Sequence, residues 1–309
     1  MSTSTIEWTE HTLNAFVGCR RVSEGCTRCY AERFVHRGMS AQHRGLTVMG
    51  ANGPRWNGAV NYVPGRFDEM LRTKEPARWF INSLSDLFFE PVPFQTIAAL
   101  LGMMAVAYAE HGHVSQILTK RPARAVEFFE WLRNEYDDPR AVFQTCMGWF
   151  VGGAPPELQV KSKAWERAVA RVLDVDEPFP FWLGVSVENQ ETADERIPLL
   201  LKCPAAVRWI SAEPLLGPVT LDEAVLGCKG HLAETFGNPL INWVVWGSES
   251  GPGSRPMDLA WGSSLVEQCR AAGVACFTKQ ISNPNDRKGG KPEHWPAGDW
   301  PREFPTVSA

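Results

Sequence analysis

Three cysteines set the chemistry open to this chain. Cys19, Cys26 and Cys29 fall within eleven residues as C-x6-C-x2-C. Thiolates are soft donors that select zinc, copper(I) or iron–sulfur clusters, and a loop this short can bring three of them to one metal centre. A closed structural zinc site takes four donors, commonly as two pairs. No second pair is present, because Cys146, Cys203, Cys228, Cys269 and Cys276 each stand alone in the sequence. His36, seven residues beyond Cys29, is the nearby candidate for a fourth place. Three thiolates with an open fourth position describe a metal that can take up a cofactor or substrate, a catalytic arrangement. The spacing favours an iron–sulfur cluster, with zinc and unligated buried thiols as the alternatives.

The surroundings of the cysteines are basic although the chain is not. The net charge is −4 and the pI about 6.0, so there is no global footprint of a nucleic-acid binder. Between Arg20 and Arg44, however, Arg20, Arg21, Arg28, Arg33, Arg37 and Arg44 stand against Glu24 and Glu32, a local excess of +4. This is either a rim that faces phosphate or a solvated helix face. The first ten residues are polar and lack the apolar core of a signal peptide, so a reducing, cytoplasmic compartment is expected. In that reducing compartment eight cysteines need not pair. The most apolar run, 98–109, is too short to cross a bilayer and reads as a core helix, so no membrane contact is expected.

The elements that position the cysteines follow a rhythm. A short apolar segment at 14–17 enters the cysteine loop, and 29–36 opens a helix. A Gly-, Asn- and Arg-rich loop covers 38–64. Apolar strands are predicted at 78–84, 114–119, 181–187, 207–210, 241–246 and 274–278, with helices at 93–110, 123–136, 191–202 and 261–272 between them. Each strand ends in small polar or charged residues. Alternation of this kind indicates parallel β/α units, about six to seven of them, and suits a partial or complete TIM-like (β/α) barrel. In such barrels the active site gathers at the C-terminal strand ends. Ser83, Ser85, Lys120, Ser186, Glu188, Glu213, Glu249 and Lys279 would ring one cavity there, although any single such residue is more often a helix cap or a solvated charge. The rhythm breaks at 139–180, where 144–156 carries Gly and Pro and 158–173 reads as helix. That segment is an insertion serving as lid, docking element or padding. The expected organisation is a barrel domain over 1–280 and an extension over 281–309, the latter packed through Trp295 and Trp300.

The residues Ile6-Glu7-Trp8-Thr9, Gly18-Cys19, Gly25-Cys26-Thr27-Arg28-Cys29-Tyr30-Ala31-Glu32, Ser83-Leu84-Ser85-Asp86-Leu87-Phe88, Leu118-Thr119-Lys120-Arg121-Pro122, Leu183-Gly184-Val185-Ser186-Val187-Glu188-Asn189-Gln190, Ser211-Ala212-Glu213-Pro214-Leu215-Leu216-Gly217 and Gly247-Ser248-Glu249-Ser250-Gly251, with Lys279-Gln280, carry a resemblance. Together they resemble the phage Gp37/Gp68-like three-cysteine-motif family, DUF5131. That family looks similar to the radical S-adenosylmethionine (SAM) superfamily, and within it to spore photoproduct lyase, a DNA repair enzyme. The usual superfamily spacing is C-x3-C-x2-C. The six residues between Cys19 and Cys26 put the first ligand on a longer loop, a change that costs little closure entropy.

The resemblance implies a radical SAM enzyme with a barrel of that type. Cys19, Cys26 and Cys29 would hold three irons of a 4Fe–4S cluster, leaving the fourth to chelate SAM. Reductive cleavage to a 5′-deoxyadenosyl radical would then abstract hydrogen from substrate, with the electron supplied by a donor such as flavodoxin or ferredoxin. Tyr30 would lie beside the cluster or adenine. Ser83 and Ser85 would contact the methionine or ribose part, Lys120 the carboxylate, and Ser186 with Glu188 the ribose hydroxyls. Glu213, Glu249, Lys279 and Gln280 are left to the substrate side, Lys279 and Glu213 as the catalytic pair. The family's phage connection, its lyase-like relative and the arginines point to a nucleobase in DNA or RNA, which must be flipped out to react. A small molecule or peptide remains the alternative substrate, and a zinc-binding phage adaptor the alternative protein.

Overall fold

The computed structural model describes residues 4–135, 137–177, 179–221, 223–226, 241–251, 253–282, 286 and 288–306. Cys228 and Tyr136, both used in the sequence reading, lie outside them. The chain forms two compact units, Met1–Val22 with Cys26–Trp182 and Cys203–Ala205, and Ser23–Gly25 with Leu183–Lys202 and Ala206–Ala309.

The first unit contains β1 (His11–Leu13), β2 (Phe16–Val17), α1 (Tyr30–His36), β3 (Thr47–Gly50), β4 (Gly53–Trp56), β5 (Asn61–Tyr62), α2 (Glu69–Arg72), β6 (Arg78–Ile81), α3 (Phe94–His111), β7 (Val114–Thr119), α4 (Pro122–Glu135), α5 (Pro139–Gly148) and α6 (Lys163–Arg171). Its core helix is α3, in which every residue from Thr96 to Ala107 is buried. A helix apolar all round must be covered on all sides, and α5 covers part of it. A Cβ on Gly102 of α3 would stand 2.7 Å from Met147 Sδ and 2.8 Å from Phe143 Cβ. Gly112, at φ +67°, ends α3 in the left-handed conformation that glycine adopts without strain.

The second unit contains β8 (Trp182–Ser186), α7 (Gln190–Leu200), β9 (Val207–Ala212), α8 (Glu223–Leu226), β10 (Trp243–Gly247), α9 (Leu259–Ala272) and β11 (Ala275–Gln280). All five residues of β8 and all five of β10 are buried, the mark of strands covered on both faces. A reciprocal capping box between Asn189 and Thr192 starts α7. The tail packs as expected: Trp300 meets Trp246 at 5.6 Å between ring centroids and Phe304 stacks on Trp243 at 5.4 Å.

The parallel strands follow chain order within each unit, β1-β6-β7 in the first and β8-β9-β10-β11 in the second, and the recorded registers β1 with β6, β6 with β7, β9 with β10 and β10 with β11 are parallel. Strands taken in chain order without reversal leave no topological switch point. This is the winding of a partial β/α barrel, as expected from the strand–helix alternation.

Three expectations change. The segment 38–64 is not simple loop but carries the antiparallel β3–β4 hairpin and β5, which pairs antiparallel with β2 outside the segment. The strand expected over 78–84 stops at Ile81, because Asn82 turns the chain at φ +59°. In the 139–180 segment, 144–156 is helical as far as Gly153, and the second helix is confined to Lys163–Arg171. Trp165 of α6 is fully buried and its indole N–H donates to Met147 O at 3.1 Å. Of the roles considered for this segment, core packing is the one these contacts describe.

Candidate functional site

In the first unit, Cys19 and Cys29 lie half-buried against an apolar bed of Val17, Ala31, Val35, Leu46, Trp56 and Leu84. Cys26 closes a short turn, and its carbonyl accepts the N–H of Cys29 at 3.2 Å, which tightens the C-x2-C segment. Cys29 then caps α1. Burial pushes the Cys19 thiol up to about 12 and raises Cys29 as well, and Cys29 adds to the rise at Cys19 through its charge. Among the described residues, no group of three His, Cys, Asp or Glu side chains is drawn into a metal-holding arrangement.

One cation is aimed at this loop. Arg121, buried at 6% exposure, donates from Nη1 to Cys19 Sγ at 3.6 Å and to Asp86 Oδ2 at 3.2 Å, from Nη2 to the Arg20 carbonyl at 2.9 Å, and from Nε to Glu90 at 2.9 Å. Asp86 is held in turn by Thr119 Oγ1 at 2.8 Å and by the backbone N–H groups of Phe88 and Lys120, each at 3.0 Å. The sequence reading singled out Lys120 at this strand end. The neighbouring Arg121 is the residue that reaches the cysteine loop, and Lys120 joins the network through its backbone.

The other residues expected in this unit gather at the end of β6. Tyr30 is exposed over its ring while its hydroxyl donates to Ser83 O at 2.6 Å. Ser83 exchanges hydrogen bonds with Asn14. Ser85 bridges to Gly18, and its hydroxyl is buried without a partner, as is the Asn82 side-chain nitrogen. Orphaned buried polar atoms cost free energy unless something completes them. Of the expected basic rim, Arg21 is turned inward, held by both oxygens of buried Glu32 with a shortest distance of 2.6 Å. Arg20, Arg37 and Arg44 are exposed. His36 is also exposed and meets Thr47 Oγ1 at 3.0 Å.

In the second unit the strand-end carboxylates are already engaged. Glu188, at 1% exposure, accepts from Arg196 Nη1 at 3.1 Å and from Ser23 Oγ at 2.9 Å. Arg196 also donates to Ser186 O at 2.8 Å. Gly25 lies so close that a Cβ there would stand 2.4 Å from Glu188 Oε1. Glu249 is clasped by Arg255, which also bonds Glu24 Oε1 at 2.8 Å. Ser23, Glu24 and Gly25, which lie between Cys19 and Cys26 in the sequence, are thus held by Glu188 and Arg255. Glu213 pairs with Lys279 Nζ at 2.5 Å, and Gln280 donates to Ser248 O at 2.6 Å. Arg196 and Arg255 were not foreseen, because an arginine several residues past a strand end carries no local signal of its partner.

The first unit thus offers groups of the kinds an iron–sulfur site uses: three thiols on one loop, an apolar bed, a buried guanidinium at the Cys19 sulfur and buried polar atoms without partners at the adjoining strand end. No helix among the described residues is long and apolar enough to cross a membrane. No curated protein and no solved structure matches the chain. The family model described as a protein of unknown function, DUF5131, matches residues 3–294, nearly the whole length, and the chain belongs to that family.

Proposed function

We propose that this protein is an iron–sulfur enzyme of the radical SAM type whose substrate is a nucleobase in DNA or RNA. The observation that carries the reading is the buried Arg121 guanidinium directed at Cys19 Sγ within a three-thiol loop. With cluster and SAM bound, the chemistry supplied is one-electron cleavage of the sulfonium and abstraction of a hydrogen atom from substrate. Cys19, Cys26 and Cys29 hold three irons. Arg121 offsets thiolate charge, and hydrogen bonds to cluster sulfur set the reduction potential. Tyr30, Ser83, Ser85 and Lys120 are assigned to SAM, with the orphaned Ser85 hydroxyl the donor most in need of it. Ser186 and Glu188 remain assigned to the ribose, although Glu188 can serve only while keeping or exchanging its bonds to Arg196 and Ser23. Lys279 and Glu213 form the substrate-side pair, able to hold or pass a proton between Nζ and Oε1. An acidic one-electron donor such as flavodoxin or ferredoxin and a cytoplasmic setting belong to the same proposal.

Anaerobic purification tests it. The protein should be brown and hold about four irons per chain with matching sulfide, the content of one 4Fe–4S cluster. Alanine at any one of Cys19, Cys26 or Cys29 should abolish iron binding, whereas Cys146→Ala should not. With reductant the protein should convert SAM to 5′-deoxyadenosine, and Lys120→Ala should slow this with iron retained. Stoichiometric zinc without iron would turn the reading to a metal-binding adaptor. Formation of S-adenosylhomocysteine alone would turn it to methyl transfer.

A further inference from the structure

The β3–β4 hairpin is fixed at its base and bare at its tip. At the base Trp56 and Leu46 are buried, the Trp56 backbone N–H donates to Glu32 Oε1 at 2.9 Å, and Thr47 meets His36. Two residues, Ala51 and Asn52, close the turn between the paired Gly50 and Gly53, the latter at φ +106°. Just below the turn Met49 is 66% and Val48 43% exposed. Apolar side chains left bare on a projecting ribbon gain by being covered.

The charge around this tip is of one sign. Residues 33–67 hold five arginines and no Asp, Glu or Lys, in a chain whose net charge is −4. Arg66 is committed to Glu69 and to the Thr12 carbonyl. Arg37, Arg44 and Arg55 are exposed and form no ion pair among the described residues. Arg55 stands directly across the ribbon from Val48. Charge of this kind calls for an anionic partner, and the shape of the apolar part chooses between partners. Two side chains at a hairpin tip fall far short of the roughly 800 Å² that each partner buries in a stable protein interface. They match a single base step. Proteins that unstack DNA insert Met, Leu or Phe wedges between base steps from the minor groove, and arginines beside such a wedge can neutralise the neighbouring phosphates.

We propose that the β3–β4 hairpin is a wedge that enters a nucleic-acid duplex, with Met49 between base pairs and Arg44 and Arg55 on the neighbouring phosphates. The inference rests on the nucleobase reading above and gives that reading its means of exposing a base, since unstacking must precede any chemistry on a paired base.

A short DNA duplex carrying 2-aminopurine tests it, with the full-length iron-loaded protein. Wild-type protein should bind at low salt and raise the fluorescence of the unstacked base. Met49→Ala should bind within a few fold of wild type yet lose most of the fluorescence rise. Arg44→Glu with Arg55→Glu should weaken binding at least tenfold and lower the salt slope by roughly 0.9 for each lost contact. Iron content and circular dichroism, equal in all variants, would exclude misfolding. An unchanged fluorescence rise in Met49→Ala, or salt-independent binding, would overturn the wedge. So would absence of duplex binding together with arginine-dependent binding of an acidic protein such as flavodoxin. The two readings fail separately: SAM cleavage without duplex binding removes only the wedge, and duplex opening by a protein that never takes up iron removes only the enzyme.

Discussion

The buried charges of the two units are arranged in opposite ways. In the second unit each strand-end carboxylate is matched by one cation: Glu188 by Arg196, Glu249 by Arg255, Glu213 by Lys279. In the first, Arg121 is shared among Asp86, Glu90, a carbonyl and the Cys19 sulfur, and the Ser85 hydroxyl and the Asn82 side-chain nitrogen are buried without a hydrogen-bond partner, as Arg196 Nε and Thr278 Oγ1 are in the second. Closed pairs hold a structure together. An open set, with thiols that burial keeps protonated and donors without acceptors, is where a bound group would complete what the chain leaves incomplete. The difference is consistent with the proposed placing of the cluster in the first unit, with the paired groups of the second left to the ribose and the substrate.

The largest expected effect breaks the second unit's closure. Arg196→Leu would strip Glu188, at 1% exposure, of the Arg196 guanidinium, and removing one partner of a buried pair costs about 3–5 kcal/mol. Arg121→Leu should cost less, because Asp86 keeps Thr119 and two backbone N–H groups, yet it should lower iron retention more. Urea unfolding and iron analysis of both variants measure this. Equal stability losses with equal iron content would erase the distinction between closed and open sets.

A smaller effect is expected at Gly25. A Cβ there meets Glu188 Oε1 at 2.4 Å and Cγ at 2.5 Å, and Arg196 prevents the carboxylate from swinging away. Gly25→Ala should therefore destabilise by about 1–3 kcal/mol, the usual range for overpacking. Shortening the glutamate in Gly25→Ala with Glu188→Asp should recover part of that loss. Failure of the double variant to improve on the single one would show that some contact other than Glu188 sets the requirement for glycine.

Much of this was legible in the residues. Apolar strands such as Leu183 to Ser186 and Trp243 to Trp246, bounded by helices, suffice to indicate parallel β/α winding. The spacing of the three cysteines raises the expectation of a metal-binding loop, which the proposal above carries forward. What stayed hidden were elements too short to show a period, such as the three-residue β1 and the hairpins within 38–64. Long-range partners were hidden too. Lys120 and Arg121 look alike in sequence, and only the fold decides which reaches Cys19. The inward turn of Arg21 depends on Glu32 standing eleven positions later, next to it in space, so a count of charges over 20–44 overstated the outward rim.

The smallest effect concerns pH and probes the first unit away from the cysteines. His113 is fully buried, with Nε2 donating to the Thr73 carbonyl at 2.8 Å and Nδ1 accepting the Ala77 N–H at 3.2 Å. That bonding fixes the neutral ring. Burial holds its pKa below the ordinary 6.5, with the neighbouring His111 adding to the depression. The unfolded chain, in which the ring titrates normally, therefore binds more protons than the native state between the depressed value and 6.5. Stability from this group is complete above about 6.5 and falls as pH drops through the native value, at no more than about 1.4 kcal/mol per pH unit for one proton. The urea midpoint should be lower at pH 5.5 than at pH 7.5. His113→Gln, which can donate and accept at the same places without titrating, should flatten that dependence. Hydrogen exchange should show the loss first in amides of β6 and β7, which flank His113, and later in β10 and β11. An identical slope in wild type and His113→Gln would assign the acid sensitivity to other groups.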